Sequence, residues 1–520
     1  MRLLLYLVIL LTAEISTLFS ESFSWPQWRG PNRNGKELGK LTLNLAWEKQ
    51  PPEVLWQSPP LPSQSDGGFG SIISDGIYAY LSIVWHRDIP SEERTINDLV
   101  LRQLGVRKIN LSKEIIRKAE SDRASLNPRL RGGKLEEWIE NWLLENLTQS
   151  ERMIQGSLLA SRFRKGKLAI PLPVIEKLFQ IKGKVFANQE ELDGWINEQD
   201  FDFRIKELVR KAVPPTKRVA EDVVVALDLR NGEMVWKTSL PGIPTGRNSS
   251  STPCIAEGKV FAVGGKRIFC LDAEVGELLW ENEIHQHGVA SSPLFYDGKV
   301  YVLAGNLRAY EANSGELIWE NDEVKGKAGA PILWKSKFAK LLVCNSNKKV
   351  CAVDPQSGKT VWAGSGGGNS TPVVEGNYLV VHGKPKEVGI IAYQMKKNSI
   401  VEIWRFPKHT RRCDSSPIIY DGKVFLIGSG MRLCIDLFTG ETLRKIPSKH
   451  DISSPVLVKD TILAFETSGS FLRAFDASAE NLHLGEKFKV NALKCASPTP
   501  VGSQLLIRRA EHLISLDINN

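Results

Sequence analysis

The chain has 520 residues, of which 42% are hydrophobic and 24% charged, and its formal net charge is +9. This composition is typical of a globular protein and excludes a fibrous or disordered chain. The charge excess is modest for this length, so it indicates solubility rather than a nucleic-acid partner.

The first 22 residues are organised like an export signal. Arg2 supplies a positive charge, an apolar run of 11 residues interrupted only by Thr12 follows at 3–13, and small polar residues lead to Ser22. A bilayer span needs about 20 apolar residues, so the segment 1–22 predicts a signal peptide and not a membrane helix. The mature chain contains no transmembrane candidate and no cysteine directly after the signal. We therefore expect an exported protein of the periplasm or cell envelope, or an extracellular one, without a lipid anchor.

The segment 23–85 contains short strands. Residues 54–57 read VLWQ, a single strand, and residues 68–81 place Asp75-Gly76 between two apolar runs, which is a hairpin signal.

The segment 86–220 differs in kind, because apolar residues recur there at helical spacing, as in KLEEWIENWLLENL at 134–147. It holds 26 Lys and Arg against 20 Asp and Glu, so it carries most of the excess charge. The basic cluster at 162–167 is too short to indicate nucleic-acid binding. We predict a mainly helical insertion that is either a solvated subdomain or an element that docks a partner or forms a lid.

From 221 to 520 a unit of about 40 residues repeats. Each copy opens with two small residues and a proline, followed by an apolar strand, a turn such as Asp-Gly-Lys and a second strand. The seven opening prolines are Pro253, Pro293, Pro331, Pro372, Pro417, Pro455 and Pro498. This period, with several short strands in each copy, predicts the blades of a β-propeller.

The second half of each copy carries Asp, then Gly, then Trp, as in ALDLRNGEMVW at 226–236. Asp and Gly form a turn, and the Trp ring on the fourth strand is expected to wedge between neighbouring blades. The predicted docking residues are Trp56, Trp236, Trp280, Trp319, Trp362 and Trp404. Residues 54–57 then supply the fourth strand that the last copy lacks. The expected fold is all-β: an eight-bladed propeller with the helical insertion in blade one, closed by a strand from the segment 23–85.

The Asp-Gly-Trp copies resemble the tryptophan-docking repeats of the pyrroloquinoline quinone (PQQ) repeat propellers. WPQWRGPNRNG at 25–35 resembles the opening signature of exported bacterial quinoprotein-like propellers. The same repeat is found in the propeller lipoprotein of the outer-membrane β-barrel assembly machine. The resemblance implies a propeller for 54–85 and 221–520, and in the family's dehydrogenases it implies PQQ with calcium.

The chain lacks the adjacent cysteine pair of those enzymes and offers no calcium ligand set that can be transferred by motif. We therefore predict no cofactor, metal ligand or catalytic residue, with PQQ and calcium as the alternative. The seven cysteines are too sparse for a disulfide framework. Cys344 and Cys351 flank a turn and either pair across a hairpin or are buried thiols.

Cationic or titratable residues stand four positions before five of the opening triplets. They are Arg247, His287, Lys325, Arg411 and Lys449, with Arg412 and His450 next to two of them. If the triplets open the innermost strands, these residues form a ring at one mouth of the channel. Such a ring would attract an anionic peptide or polymer, whereas the simpler interpretation is exposed loop charge.

The leading hypothesis is an exported, monomeric, non-enzymatic propeller that binds a protein or anionic polymer in the cell envelope. The alternatives are a PQQ-dependent oxidoreductase of alcohols or sugars and a carbohydrate-binding propeller.

Overall fold

The computed structural model describes residues 24–37, 39, 43–245, 249–284, 290–385, 387–407, 414–428, 430–450 and 452–519. The signal peptide predicted for 1–22 lies outside them. The chain divides into two compact units, a sheet unit (residues up to His86 and from Ala220 onward) and a helical unit (Arg87–Val219).

The described part of the sheet unit is mostly β and contains eight sheets of three to five strands. Sheet A comprises Ile73–Ser74, Tyr78–Pro90, Thr216–Asp228 and Met234–Gly242; sheet B comprises Cys254–Ala256, Lys259–Val263, Arg267–Asp272 and Leu278–Glu283; sheet C comprises Leu294–Tyr296, Lys299–Glu311 and Leu317–Gly326. Sheet D comprises Ile332–Lys335, Lys340–Asn345, Lys349–Val353 and Thr360–Ser365; sheet E comprises Val373–Glu375, Tyr378–His382, Ile390–Lys396 and Ser399–Phe406.

The remaining three sheets continue this order. Sheet F comprises Ile418–Tyr420, Lys423–Gly428, Met431–Asp436 and Thr442–Pro447; sheet G comprises Val456–Val458, Thr461–Glu466, Phe471–Asp476 and Glu486–Lys489, with Lys36–Glu37 added in parallel; sheet H comprises Thr499–Val501, Gln504–Arg508, Leu513–Asp517 and Val54–Gln57. Val54–Gln57 pairs antiparallel with Leu513–Asp517, which is the pairing that the sequence predicts.

The first two strands of a sheet form a hairpin wherever the sequence carries Asp-Gly-Lys. Asp297 and Gly298 both have positive φ, 54° and 68°, and Tyr296 pairs with Lys299 across the turn. Two consecutive positive φ values match the twist of the flanking strands, and Asp and Gly tolerate them better than most residues. The predicted hairpin is confirmed.

Each sheet packs an apolar face on the next sheet in chain order. Val224 of sheet A and Phe269 of sheet B share one buried cluster, and equivalent clusters join every following pair. A further cluster contains Phe465 of sheet G, Leu505 of sheet H and Ile72 at the start of sheet A. Complete burial of a side chain such as Phe269 contributes about 1.5–3 kcal/mol. The core is thus a series of layers between sheets, and the last layer returns to the first sheet.

The helical unit has its own core, which includes Phe163 and Leu178. Its α-helices are Asp98–Gln103, Lys113–Ser125, Gly133–Asn146, Gln149–Lys165, Leu172–Gln180, Gln189–Glu198 and Phe203–Ala212, beside a two-stranded sheet of Arg94–Thr95 and Val185–Phe186. Thr148 and Glu151 form a capping box that fixes the start of one helix. Among the helices of the described residues, none has the length and apolar character needed to cross a membrane.

Candidate functional site

The tryptophans predicted to dock blades make a recurring contact between sheets. In five of the six, the indole Nε1–H donates to the carbonyl that follows the turn Asp or Glu of the next sheet. The bonds are Trp56 to Leu229 (2.8 Å), Trp236 to Ala273 (3.0 Å), Trp280 to Ala312 (2.9 Å), Trp319 to Pro355 (3.1 Å) and Trp404 to Leu437 (2.8 Å). Trp362 instead packs edge-on against Tyr393 of the next sheet, with ring centroids 4.9 Å apart.

The turn glycine of the motif lies under the same ring. A Cβ placed on Gly276 would come within 2.6 Å of the Trp236 ring, and one on Gly315 within 2.6 Å of Trp280. The glycine is therefore required by the neighbouring sheet as well as by its own positive φ, 75° at Gly276. The sequence predicted only the need for a positive φ and not the contact with the tryptophan ring.

The opening triplets form a chain of hydrogen bonds between sheets. The backbone N–H of the second triplet residue donates to the hydroxyl of its counterpart in the next sheet. In sheet A the equivalent position is Ser71 of Gly70-Ser71-Ile72, which lacks the proline. These bonds are Ser71 to Thr252 (2.9 Å), Thr252 to Ser292 (3.0 Å), Ala330 to Thr371 (3.2 Å), Thr371 to Ser416 (3.0 Å), Ser416 to Ser454 (3.0 Å) and Ser497 to Ser71 (3.0 Å). The last bond joins sheet H to sheet A. Because Ala330 has no hydroxyl, the equivalent bond from Ser292 has no acceptor.

Residues 24–37, which carry the WPQWRGPNRNG motif, contact seven of the sheets at their first strands. Trp25 forms an isolated bridge with Ser74 of sheet A, Ile255 of sheet B donates to the Pro26 carbonyl (2.8 Å), and Lys36 pairs with Leu457 of sheet G. We call this stretch the axial segment.

Two arginines of the axial segment reach the carbonyls of the opening triplets. Arg33 donates to Pro331 (2.6 Å), Pro293 (2.6 Å) and Ser292 (3.1 Å), and Arg29 donates to Pro417 (2.6 Å). Trp28 adds a bond to the Thr371 hydroxyl (3.2 Å). Sequence reasoning used this motif only as a family signature, because no local pattern links it to residues more than 250 positions away.

Burial dominates the electrostatics of these arginines. Arg29 and Arg33 are each about 1% exposed, and desolvation lowers the pKa of Arg29 to about 9 and that of Arg33 to about 10. Both remain protonated at pH 7. Neither forms an ion pair with a carboxylate of the described residues, so carbonyl oxygens are their principal protein partners.

The predicted rim residues are only partly described. Arg247, His287 and Arg411, as well as Arg412, lie outside the described residues. Lys325 and Lys449 are both exposed, and their backbone carbonyls accept bonds from Asn347 (2.7 Å) and Thr467 (2.9 Å). The charged ring stays a prediction.

His450 does not belong to that rim. It is buried beside Arg432 and Glu466, and its Nδ1 lies 3.0 Å from the Phe465 carbonyl. Burial lowers the pKa of His450 to about 4, so the imidazole is neutral at pH 7 and adds no charge to the predicted rim.

The described cysteines of the strands are buried thiols. Cys344 and Cys351 lie opposite each other on paired strands without a disulfide, so the alternative of a pair across this hairpin is wrong. Burial raises the pKa of Cys254, Cys270 and Cys434 to about 12, which makes them unreactive.

The described residues around the axial segment do not fit a quinone with calcium. Calcium takes six to eight oxygen ligands, usually with several carboxylates. The described residues contain no group of three or more His, Cys, Asp or Glu side chains placed to hold a metal. The charged groups that the axial segment buries, Arg29, Arg33 and Lys36, are basic side chains that would repel calcium. We derive no chemical step through a cofactor.

Comparison with known proteins shows which class of protein this chain resembles. A family model described as outer membrane protein assembly factor BamB matches residues 220–405, which confirms the resemblance to PQQ-repeat β-propellers over this stretch. Outer membrane protein assembly factor BamB of Yersinia pestis is 26% identical over 172 residues, which is 30% of this chain and 42% of that protein. Tetrathionate hydrolase of Acidithiobacillus ferrooxidans is 23% identical over 268 residues, 46% of this chain and 52% of that protein.

Quinoprotein alcohol dehydrogenase PedH of Pseudomonas putida is 24% identical over 196 residues, 33% of this chain and 31% of that protein. Among solved structures, BamB from Moraxella catarrhalis aligns with a TM-score of 0.44 and 16% identity, covering 56% of this chain and 88% of that one. The matches to these curated relatives span about half of each relative's length or less.

Proposed function

We propose that the eight sheets are the blades of a closed eight-bladed propeller and that residues 87–219 are inserted in its first blade. The cyclic order of the apolar layers supports closure, as do the bond from Ser497 to Ser71 and the strand Val54–Gln57 in sheet H. Closure buries the apolar faces of the first and last sheets against each other, and the radial repeat leaves only short, protected sheet edges. The indole bonds between sheets then act as blade-docking contacts.

We propose that this propeller is an exported, monomeric, non-enzymatic scaffold that binds a protein or an anionic polymer in the cell envelope. The observation that carries the proposal is the axial segment, which fastens seven sheets through buried hydrogen bonds and so favours a rigid platform. The match of 220–405 to the assembly-factor family adds support for a protein partner.

We place the binding surface at the predicted rim of Arg247, His287, Lys325, Arg411 and Lys449. Lys325, near the end of the last strand of sheet C, and Lys449, just after the last strand of sheet F, are both exposed and stand four residues before their triplets. Charges of one sign at a channel mouth raise the local concentration of an oppositely charged partner.

Poly-L-glutamate binding tests the rim. We expect Lys325→Ala/Lys449→Ala to weaken binding at low ionic strength by about tenfold and to reduce its salt dependence. The matched control is Lys259→Ala/Lys299→Ala, which removes two lysines that follow hairpin turns at the other end of the first strands. Equal weakening by both pairs would contradict the rim and indicate a net-charge effect. If only the rim variant weakens binding, crosslinking in cell envelopes would identify the partner.

The similarity to PedH favours a second candidate, a PQQ-dependent oxidoreductase of alcohols or sugars. An assay of purified protein mixed with PQQ and Ca²⁺ discriminates between the scaffold and the oxidoreductase. The scaffold proposal expects no stoichiometric change in quinone absorbance and no substrate-dependent reduction of an artificial acceptor. Stoichiometric binding with turnover would replace the scaffold by the enzyme.

A further inference from the structure

The helical unit contains a cavity of about 330 Å³, which lies wholly within residues 103–212. Three helices end at it, Asp98–Gln103, Gln149–Lys165 and Phe203–Ala212. Ligand sites in proteins usually occupy about 300–1,000 Å³ and combine apolar walls with a few polar groups. The cavity is at the lower end of this range, so its size suits a small molecule rather than a folded partner.

The floor of the cavity is apolar. It is formed by Val106, Leu158 and Ile170, each of which is at most 8% exposed. The mouth carries Leu168 and Leu208, whose exposed fractions are 73% and 38%. An alkyl chain inside the cavity would cover the floor and shield these two side chains from water, and removing apolar surface from water is favourable.

The mouth also carries positive charge. Lys165 and Lys211 line the cavity, both are exposed, and neither belongs to an ion pair of the described residues. The Lys165 ammonium lies against the cavity wall, since a Cβ placed on Gly105 would come within 3.2 Å of Lys165 Nζ. None of the described side chains that line the cavity is acidic. The two lysines therefore face it without a protein counter-charge.

Arg162, which also lines the cavity, adds to this excess. Its Nη2 lies 2.6 Å from Glu120, but Glu120 also pairs with Arg123 (2.8 Å), so two guanidinium groups share one carboxylate. The C-terminal dipoles of the three helices act in the opposite direction, with about half a negative charge each. The arginine pair contributes one net positive charge and the lysines two, which together outweigh the dipoles.

We infer that this cavity binds a medium-chain aliphatic carboxylate, such as octanoate, with its alkyl chain against the apolar floor and its carboxylate facing Lys165 and Lys211. An uncharged chain would leave the lysines without a counter-charge, and a short anion such as acetate would leave the floor exposed to water. An anionic amphiphile satisfies both. The site lies in the helical unit, so it goes beyond the proposed scaffold function and does not depend on the predicted rim.

Isothermal titration calorimetry of the full chain with hexanoate, heptanoate and octanoate tests the inference. We expect one bound octanoate per chain. Each added methylene should raise the affinity about fourfold while the cavity still has room, because that is the gain from burying one methylene. Octanol has the same chain without the charge, and it should bind about tenfold more weakly than octanoate.

Two lysine pairs separate a specific site from general electrostatic attraction. Lys165→Met/Lys211→Met removes both charges at the mouth, and it should lower the affinity for octanoate to about that for octanol. The matched control Lys113→Met/Lys134→Met removes two exposed lysines of the same unit that do not line the cavity, and it should bind octanoate as the wild type does. All four side chains are exposed, so both variants should fold, which circular dichroism checks.

A pair of leucine variants tests the apolar part of the site. Leu168→Ser removes an exposed apolar side chain at the mouth and should weaken octanoate binding severalfold. Leu144→Ser changes another exposed leucine of the helical unit, 55% exposed, that does not line the cavity, and it should leave the affinity unchanged.

Three calorimetric results would overturn the inference: no saturable binding of octanoate to the wild-type protein, an affinity that does not rise with chain length, or equal weakening by the two lysine pairs. A crystal structure with ω-bromooctanoate then locates the ligand. Anomalous density for bromine beside Val106, Leu158 or Ile170 would support the site, and bromine bound only elsewhere would refute it.

Discussion

At the docking turns a single glycine satisfies two independent demands. Gly276 adopts a positive φ of 75° within its own sheet, and its α-carbon faces the Trp236 ring of the preceding sheet. Gly258 also has a positive φ, 70°, yet a Cβ there would meet no atom within 4 Å. The two positions thus share the backbone requirement and differ only in the contact between sheets.

We expect Gly276→Ala to lower the free energy of unfolding by about 1–3 kcal/mol more than Gly258→Ala. Both substitutions strain the left-handed backbone, but only the first forces a methyl group into the indole ring, which is the situation of an overpacked core. Urea unfolding followed by tryptophan fluorescence measures the difference. Equal losses for the two variants would show that the ring is not a packing constraint on the turn.

At the scale of elements, a buried charge cluster joins sheets F and G. Arg432 of sheet F lies 3.3 Å from Glu466 of sheet G and 3.2 Å from His450 on the connection between the sheets. Arg473 pairs with the other carboxylate oxygen of Glu466 (3.1 Å). The neutral His450 ring bridges this cluster to the Phe465 carbonyl.

This cluster predicts loss of stability in mild acid. Since burial lowers the pKa of His450 from 6.5 to about 4, protons bind the unfolded chain more tightly than the folded one between these values. Stability should therefore fall as the pH drops from about 6.5 to about 4, by up to about 3 kcal/mol from this group. Urea titrations across this range check the slope. His450→Asn should remove the His450 contribution, and an unchanged slope in that variant would contradict the assignment.

Elements whose contacts are local could be predicted from the sequence, and elements with distant contacts could not. The Asp297-Gly298 hairpin and the strand that carries Trp280 follow from spacing within a single repeat. The axial segment has no counterpart in the repeat, and Arg33 meets carbonyls about 260 to 300 positions away. Arginine is usually found at the protein surface, so only the structure shows that Arg29 and Arg33 are buried. The prediction that His450 adds to the charged rim was wrong for a similar reason. Spacing in the sequence cannot distinguish a loop that faces solvent from one that is buried between two sheets.

At the scale of the whole molecule, three features bring the end of the chain back to its beginning. Leu513–Asp517 pairs with Val54–Gln57, Trp56 donates to Leu229 of sheet A, and the Ser497 N–H donates to Ser71. The strand pairing repeats the pairing of third and fourth strands within internal sheets, and the two hydrogen bonds repeat contacts found between internal sheets. Sheets H and A are therefore joined by the same kinds of hydrogen bond as the internal sheets, and two of the three features link residues more than 400 positions apart.

The shared hydrogen bonds predict what happens when one indole is removed between sheets H and A, at Trp56, or between sheets A and B, at Trp236. Trp56→Ala should lower the free energy of unfolding by about 3–5 kcal/mol, because it removes a buried ring and leaves a cavity. Trp236→Ala between sheets A and B should lower it by less, because the Trp236 ring is only partly buried. Hydrogen exchange should accelerate at Leu513–Asp517 and around Leu229 in the first variant, and around Ala273 in the second, while sheet D stays protected in both. If Trp56→Ala leaves exchange around Leu229 unchanged, the strand Val54–Gln57 completes sheet H without fastening it to sheet A, and the ring would be open at that point.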